Sequence, residues 1–378
     1  MTSPPNPRML PPRCGSMREP EPTATGRPRR VALVIGQLTR GGAEGQLAQL
    51  VRHLDRSRFE PVVYCLSSRT DPVGAEIEAT GTIVRVVSGG VLRRVRQLAQ
   101  LFAADGIDVV HSWLYLANAF TGAAHALQPH WPLITSARNC KLQGRLANVL
   151  AFRVSRRIVV NSQDVAAYIA RHYGAPRERI RIIYNGTDIE RFHPATAPAD
   201  VVGPIVTVGR LVEQKNHEMF LRAAAALSRD VSEVGFLIIG DGPLRAALEE
   251  QARGLGIAER VTFAGERHDV DEMLRQASLF WLTSRWEGMP NVVLEAMASG
   301  LPVIATDVGG TRELLRSATD GFIVPEGDMA AFVRHSRDLL RDAALRRQFA
   351  AAARAHAEDF STGGMVSAMT QLYDEVTP

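Results

Sequence analysis

The stretch that most constrains the fold is residues 281–300, WLTSRWEGMPNVVLEAMASG. An apolar, β-prone run at 279–283 ends at the polar, turn-forming residues 284–288. Pro290 then opens a segment whose apolar residues recur at helical spacing until Gly300. A strand, loop and helix in this order are typical of an open α/β sheet, where ligands bind outside the carboxyl ends of the strands. Because the first helical turn offers unpaired N–H groups and a positive dipole end, this stretch predicts a phosphate site.

Two carboxylates flank this predicted phosphate site, eight positions apart: Glu287 in the loop and Glu295 in the early helix. A carboxylate accepts hydrogen bonds from adjacent hydroxyls, so the pair could hold a ribose on one side of a diphosphate and a sugar on the other. The alternative is that Glu287 is a solvated loop acid and Glu295 only a partner of the helix dipole.

The rest of the chain repeats the strand and helix pattern in two series, and 46% apolar with 22% charged residues suits two globular domains. The first series predicts strands at 31–36, 61–66, 82–87, 107–111, 133–136, 157–161 and 180–183. The second predicts them at 204–209, 236–242, 261–265, 279–283, 303–310 and 321–328. We therefore predict two parallel-sheet α/β domains, 31–195 and 196–360, joined by a linker at 194–200 and preceded by a disordered arm at 1–30.

A glycine loop, TRGGAE, follows the first strand. Its spacing is not G-x-G-x-x-G, so the dinucleotide fingerprint is missing. Gly41 and Gly42 could let backbone N–H groups approach a phosphate across a cleft, or they could simply form a tight strand-to-helix turn.

Two cations follow the first strand of the second series. Arg210 offers a planar fork of donors and Lys215 a point charge, and together they would neutralise a diphosphate. The alternative for them is a solvated loop pair. His111 ends a predicted strand of the first series, where it is either a functional group or a satisfied structural histidine.

Several of these motifs together resemble the family 4 retaining glycosyltransferases, which have the two-domain GT-B fold. The resemblance rests on EG at 287–288, PNV at 290–292, LEAMASG at 294–300, GGAE at 41–44 and G-R-x4-K ending at Lys215. It implies two Rossmann-like domains facing across a cleft, with the final helix, within 361–378, crossing back onto the first domain. It also implies that Glu295 holds the nucleotide ribose, Glu287 contacts the donor sugar, and Arg210 and Lys215 bind the diphosphate.

The same resemblance extends the predicted donor site and suggests an acceptor site. Gly288, Asn291 and Val292 join the donor loop, and Gly265 is a weaker candidate for contacting the base through its main chain. Members often carry a catalytic histidine in an H-x-H motif, which points to His111, although Trp113 stands where the second histidine would be. Arg138 and Asn139, after the fifth strand, are candidate acceptor contacts.

The predicted function is retaining transfer of a sugar from a nucleotide diphosphate sugar, with a UDP-sugar expected, to a glycan or lipid-linked acceptor in cell-surface polysaccharide or glycolipid synthesis. The alternatives are a nucleotide-sugar epimerase of the same fold and a non-catalytic nucleotide-sugar-binding protein. Asp269 and Asp271 form a D-x-D pattern, which is either a metal site or, as we favour, a helix cap and a first-turn dipole partner. We therefore expect no metal, cofactor or nucleic acid.

Charge and cysteine distribution bear on location. Residues 1–195 carry 26 lysines and arginines against 14 aspartates and glutamates, whereas 196–378 carry 18 against 26. The basic half could face an anionic membrane through 91–102, whose apolar stripe of Val91, Val95, Leu98 and Phe102 is flanked by arginines. A helix packed on its own sheet shows the same stripe. Three scattered cysteines and no apolar run of spanning length predict a cytoplasmic, peripheral protein.

Overall fold

The computed structural model describes residues 26–140, 143–195 and 202–377. Most of the predicted arm at 1–30, and the linker from 196 onwards, lie outside these residues. The first strand begins within the predicted arm, at Arg29.

The first sheet of the described chain contains seven parallel strands: β1 (Arg29–Ile35), β2 (Phe59–Cys65), β3 (Ile83–Val86), β4 (Val109–Trp113), β5 (Leu133–Ala137), β6 (Arg157–Val160) and β7 (Ile180–Ile182). Their order in the sheet is β3-β2-β1-β4-β5-β6-β7. Each lies within two residues of its predicted position, because short apolar runs bounded by turn residues are a local signal.

Helices cover both faces of this sheet, since its strands are parallel and joined by crossovers. They are α1 (Gly42–His53), α2 (Val73–Glu78), α3 (Val91–Ala104), α4 (Leu114–Leu127), α5 (Arg145–Val154) and α6 (Gln163–Tyr173). Residues of α1 and α2 share one apolar core with β1, whereas α3 and α4 contribute to a second core on the opposite face and α5 and α6 to a third. The helices α3 to α6 therefore form one layer.

The second sheet lies after the linker, and within the described residues it has six parallel strands: β8 (Ile205–Val208), β9 (Phe236–Ile239), β10 (Val261–Gly265), β11 (Leu279–Leu282), β12 (Val303–Thr306) and β13 (Gly321–Val324). Their order is β10-β9-β8-β11-β12-β13. The helices of this part are α7 (His217–Leu227), α8 (Arg245–Gly254), α9 (Val270–Arg275), α10 (Asn291–Ala298), α11 (Thr311–Leu314), α12 (Met329–Arg341) and α13 (Ala343–Ala357). Two parallel-sheet α/β units, as predicted, are thus confirmed.

The last helix, α14 (Thr362–Val376), packs against the first sheet and not the second. Its Tyr373 ring lies 5.7 Å from the ring of Phe59 on β2, and Met369 is fully buried in the same core. The last described helix therefore returns to the first α/β unit.

The apolar stripe of α3 has a different role from the predicted one. Val95, Leu98 and Phe102 are buried in the core against β1 and β2, with the Phe102 ring 5.0 Å from that of Tyr64. Only Val91 of the four stripe residues is exposed. The prediction that this stripe faces a membrane is therefore wrong, because the stripe packs on the protein's own sheet. Within the parts of the chain that the structure describes, every helix is too short or too polar to traverse a bilayer.

Candidate active site

Loops at the carboxyl ends of both sheets surround one cleft of about 900 Å³. Most of the predicted site residues line it: Gly41, Gly42, Arg138, Asn139, Arg210, Lys215, Glu287, Gly288, Asn291, Val292 and Glu295. Two predicted residues, His111 and Gly265, do not line this cleft. The fold thus brings residues as far apart in the sequence as Gly41 and Glu295 to one cleft.

The two predicted phosphate ligands lie on the same wall of the cleft, just after β8. Arg210 is exposed, and within the described residues its guanidinium has no hydrogen bond or ion pair. Lys215 ends a 3-10 turn, Glu213–Lys215, and its Nζ lies 2.6 Å from Oε1 of Glu287. Arg210 is therefore available to bind an anion, whereas Lys215 already forms an ion pair with Glu287.

Glu287 is held by three donors in the loop after β11. Its Oε1 accepts hydrogen bonds from Lys215 Nζ at 2.6 Å and Ser284 Oγ at 2.7 Å, and its Oε2 accepts one from Gln214 Nε2 at 3.4 Å. The side chain is only 9% exposed. These contacts fix the carboxylate in the cleft wall beside the two cations, where it could accept a hydrogen bond from a sugar hydroxyl.

Glu295 lies one turn into α10 and is partly exposed to the cleft. Burial raises the pKa of its carboxyl group to about 7, although the nearby charges of Arg191 and Lys215 act in the opposite direction. Its side chain accepts no hydrogen bond within the described residues. A carboxyl group without hydrogen-bond partners is stabilised when a ligand brings hydroxyl donors to it.

The asparagine at the start of α10 connects the two α/β units across the cleft. Asn291 Nδ2 donates to the carbonyl of Gly42 at 3.0 Å, and Asn291 Oδ1 accepts from Asn185 Nδ2 at 2.6 Å. Asn185 Oδ1 in turn accepts from Arg138 Nη1 at 2.7 Å. In this structure Asn291, predicted to contact the donor, fastens one wall of the cleft to the other.

Close packing explains the glycine at 288. A Cβ there would lie 2.1 Å from the carbonyl oxygen of Arg138, so any other residue would push the two walls apart. Gly265 lies behind the wall with φ of +69°, and its carbonyl accepts from the Gly240 N–H at 2.8 Å. The residues that follow it, Glu266 to His268, line the cleft in its place.

The glycine loop after β1 holds a carboxylate of its own. Glu44 is 6% exposed, and its Oε2 would lie 2.3 Å from a Cβ on Gly41. Gly41 is the N-cap of α1, so Glu44 occupies the third helical position, where an acid compensates the helix N-terminus. Burial raises the pKa of Glu44. Gly41 and Gly42 line the cleft as predicted, but the anion closest to this helix start is Glu44.

His111 lies inside the sheet and not at the cleft. It is fully buried within β4, with Nδ1 2.9 Å from the Tyr373 hydroxyl and Nε2 2.7 Å from Ser136 Oγ. Burial, with a smaller contribution from the charge of Arg138, lowers its pKa to about 3. Both ring nitrogens are engaged, and through them His111 ties α14 to β4 and β5. The structure thus places His111 away from the cleft, and its catalytic role stays a prediction.

Arg138 and Asn139 form part of the cleft floor after β5. The Arg138 guanidinium lies 4.1 Å from the ring centroid of Trp113, and burial lowers its pKa to about 9. The carbonyl of Asn139 accepts from the Tyr115 hydroxyl at 2.7 Å. The structure therefore places both residues at the junction of the two walls, and their contact with an acceptor stays a prediction.

The D-x-D pair is engaged by arginines. Asp271 Oδ1 accepts from Arg191 Nη2 at 2.9 Å, and Asp269 Oδ2 accepts from Arg267 Nη2 at 2.5 Å. Asp269 occupies the N-cap position of α9, but its side chain makes no capping hydrogen bond, so the predicted cap is only positional.

Comparison of the sequence with models of known protein families identifies the family of this chain. Residues 40–191 match the family model described as Glycosyltransferase Family 4, and residues 188–356 match the one described as Glycosyl transferases group 1. The chain is a family 4 glycosyltransferase. The predicted recognition is therefore confirmed, and with it the activity class of a transferase.

Curated relatives of this glycosyltransferase include a protein named "Putative glycosyltransferase EpsF" from Bacillus subtilis (strain 168), which is 28% identical over 306 residues, 74% of this chain and 79% of that protein. The "UDP-Gal:alpha-D-GlcNAc-diphosphoundecaprenol alpha-1,3-galactosyltransferase" of Escherichia coli is 30% identical over 213 residues, 53% of this chain and 55% of that protein.

Solved structures confirm the GT-B fold of this glycosyltransferase. Anabaena Alr3699/HepE, crystallised in complex with UDP, superposes with a TM-score of 0.81 at 22% identity, covering 92% of this chain and 100% of that one. WaaG, a glycosyltransferase involved in lipopolysaccharide biosynthesis, superposes with a TM-score of 0.71 at 17% identity, covering 90% and 99%.

The glycosyltransferase's cleft also contains groups that the sequence did not single out. Arg191 lines the cleft beside Glu295, and Gln46 exchanges two hydrogen bonds with the backbone of Gly186 at 2.7 and 2.8 Å. A local signal for Arg191 exists, because it follows the turn-forming Asn185-Gly186 dipeptide and Asp188 within a few residues. Nothing in the local sequence marks Gln46, because its partner lies 140 residues away.

Proposed function

We propose that this glycosyltransferase moves a sugar from a UDP-sugar to a glycan or lipid-linked acceptor, with retention at the anomeric carbon and without a metal ion. The proposal rests on one observation about the cleft wall. Arg210, Lys215 and the start of α10 lie together on it, where they could bind a diphosphate. Glu287 and Glu295 flank them, where they could bind the sugar and the ribose at the two ends of that diphosphate. The complexes of Anabaena Alr3699/HepE with UDP and with UDP-glucose support UDP as the nucleotide.

The catalytic principle is stabilisation of the leaving group. As the glycosidic bond breaks, negative charge develops on the diphosphate, and preorganised cations lower the energy of that state. Arg210 is free to bind a phosphate oxygen, whereas Lys215 is placed to divide its three donors between Glu287 and a phosphate. Glu287 thereby positions the lysine as well as the sugar.

Glu295 is assigned to the ribose. Two adjacent hydroxyl donors favour the ionised carboxylate, so donor binding should pull the pKa of Glu295 down from about 7. The affinity for UDP should accordingly be lower below pH 7, where the free enzyme must first lose a proton.

Retention is proposed to proceed by front-face attack, with the leaving phosphate accepting the acceptor's proton. The first α/β unit contributes Glu44 to the cleft, but this carboxylate lies under Gly41 at the start of α1 and balances that helix terminus. We therefore assign it no covalent role. Cell-surface polysaccharide or glycolipid synthesis in the cytoplasm, at the inner membrane face, is the proposed setting.

The test incubates the protein with UDP-, GDP- and ADP-sugars, with and without a membrane extract, and identifies products by mass spectrometry. The proposal expects UDP release and sugar transfer that require the extract. Conversion of the nucleotide sugar without any acceptor would favour the epimerase. UDP binding with no turnover on any acceptor would favour a non-catalytic binding protein.

A further inference from the structure

The guanidinium of Arg138 is a buried cation with unused hydrogen-bond donors. Arg138 is 7% exposed, and its Nη1 donates to Asn185 Oδ1 at 2.7 Å. Its Nε and Nη2 have no acceptor, and no carboxylate pairs with it, among the residues that the structure describes. The Trp113 ring, 4.1 Å away, offers only a weaker cation–π contact. With a pKa lowered by burial to about 9, the guanidinium stays charged at neutral pH and lacks an anion.

This charge is unfavourable for the fold alone. Burying an ion without a counter-ion destabilises a protein, so most buried charges are paired or bound to a ligand. A neutral amide side chain could donate the same hydrogen bond to Asn185 without that penalty. A guanidinium in the cleft floor, at a junction where a neutral donor would suffice, therefore points to an anion that binds there.

A second buried group without a partner lies at the neighbouring strand end. Ala137 at the end of β5 is paired in register with Val160 at the end of β6, so Arg138 and Asn161 follow adjacent strands about 4.8 Å apart. Asn161 is 2% exposed, and its Oδ1 accepts no hydrogen bond from the described parts of the chain. Both residues line the cleft. The cleft floor thus combines unused donors with an unused acceptor.

We propose that Arg138 and Asn161 form a subsite for a sugar that carries an acidic group. The Nε and Nη2 atoms of a guanidinium are adjacent donors, an arrangement that binds a carboxylate or a phosphate through two parallel hydrogen bonds. The amide oxygen of Asn161 suits a hydroxyl of the same sugar. The inference deepens the proposed function and rests on it for the sugar being a substrate.

The subsite lies next to the loop that is assigned to the donor. A Cβ on Gly288 would lie 2.1 Å from the Arg138 carbonyl oxygen, and Asn185 connects Arg138 to Asn291 at the start of α10. The diphosphate has other cations, in the segment after β8, so the acidic group belongs to a sugar, either the one transferred or the acceptor. The two α/β units meet over the subsite at Gly288, so a ligand enters when they move apart.

Calorimetric titration of the full chain compares sugars that differ only in the acidic group. The donor pairs are UDP-glucose with UDP-glucuronic acid and UDP-galactose with UDP-galacturonic acid. The acceptor pairs, titrated in saturating UDP, are glucose with glucose 6-phosphate and methyl glucoside with methyl glucuronide. At least one acidic probe should bind at least about tenfold more tightly than its neutral counterpart, because charge-assisted hydrogen bonds are strong. A preference within a donor pair assigns the acidic group to the transferred sugar, and one within an acceptor pair assigns it to the acceptor.

Three variants test the two side chains. Arg138→Gln should abolish the preference, since it removes the charge but can still donate to Asn185. Asn161→Ala should weaken both members of the preferred pair alike, because the hydroxyls are common to both. Arg145→Gln is the matched control: it removes the same charge from an exposed position on α5 that does not line the cleft, and it should leave the preference unchanged.

No preference in any wild-type titration overturns the inference, as does a preference that Arg138→Gln retains. If Arg138→Gln does not fold, thermal melting of the wild type decides: the preferred acidic probe should raise the melting temperature more than its neutral counterpart, and equal shifts overturn the inference. Wild-type protein that binds UDP without any such preference refutes only this inference. Selective binding of an acidic probe with no transfer to any acceptor refutes only the proposed function.

Discussion

Replacing Lys215 by alanine tests the diphosphate site most sharply. A charged donor directed at a developing negative charge typically contributes about 3 to 4 kcal/mol to the transition state, so turnover should fall roughly two to three orders of magnitude. The structure adds a second effect. Glu287, only 9% exposed, loses the Nζ at 2.6 Å and keeps only Ser284 and Gln214 as donors. The free energy of unfolding should therefore fall by about 1 to 3 kcal/mol.

The two effects can be separated with a charge-neutral pair. Lys215→Met combined with Glu287→Gln leaves no buried charge unbalanced, so the stability lost in Lys215→Ala should largely return, whereas turnover should stay low. The matched control is Arg285→Ala, which breaks the exposed pair with Glu213 at 2.7 Å in the same region and should change turnover by less than about threefold. Single-turnover rates and denaturant unfolding supply the two readouts. A rate within tenfold of wild type for Lys215→Ala, in a folded protein, would remove this residue from the mechanism.

Three further outcomes are expected. EDTA should leave transfer largely intact; complete loss that Mn²⁺ restores and that Asp271→Asn abolishes would contradict metal independence. Calorimetry from about pH 6 to about pH 8 should show UDP affinity rising as Glu295 ionises, and Glu295→Gln should remove that pH dependence while weakening binding; a pH-independent wild type would contradict the ribose assignment. His111→Phe should lower stability by about 2 to 4 kcal/mol with little change in the turnover of the folded fraction, since it leaves Tyr373 and Ser136 without partners; a hundredfold loss of turnover at unchanged stability would support a catalytic role.

His111 should also make the protein less stable in acid. Its pKa in the folded state, about 3, lies below the usual 6.5, so between these two pH values the unfolded chain binds a proton at this residue and the folded chain does not. Stability due to this group is complete above about pH 6.5 and is lost as the pH falls towards the folded-state value.

Local pattern was enough to predict the strands and the last helix. The strand before Glu287 and the helix that carries Glu295 are both encoded within 279–300. Only one short loop separates them, so both carboxylates were expected on one wall of the cleft. Arg210 and Lys215 could be placed there too, because the ends of parallel strands meet at one edge.

The contacts that the sequence did not predict join distant segments. His111 is engaged by Tyr373, 262 positions away, and Asn291 by Gly42, 249 positions away. The apolar stripe of α3 could face a bilayer or the protein's own sheet, because a helix in either position shows the same apolar periodicity. Only the exposed first turn, Val91 and Leu92, distinguishes the parts of this helix, and that depends on how the helix packs against β1 and β2.

Proton NMR of the reaction between an α-linked UDP-sugar and a competent acceptor tests retaining transfer from a nucleotide diphosphate sugar. We predict that UDP appears in step with a new anomeric signal, and that the coupling constant of this signal is that of an α linkage in the product as first formed. A β-linked first product, or UDP release with no new glycosidic signal, would contradict it.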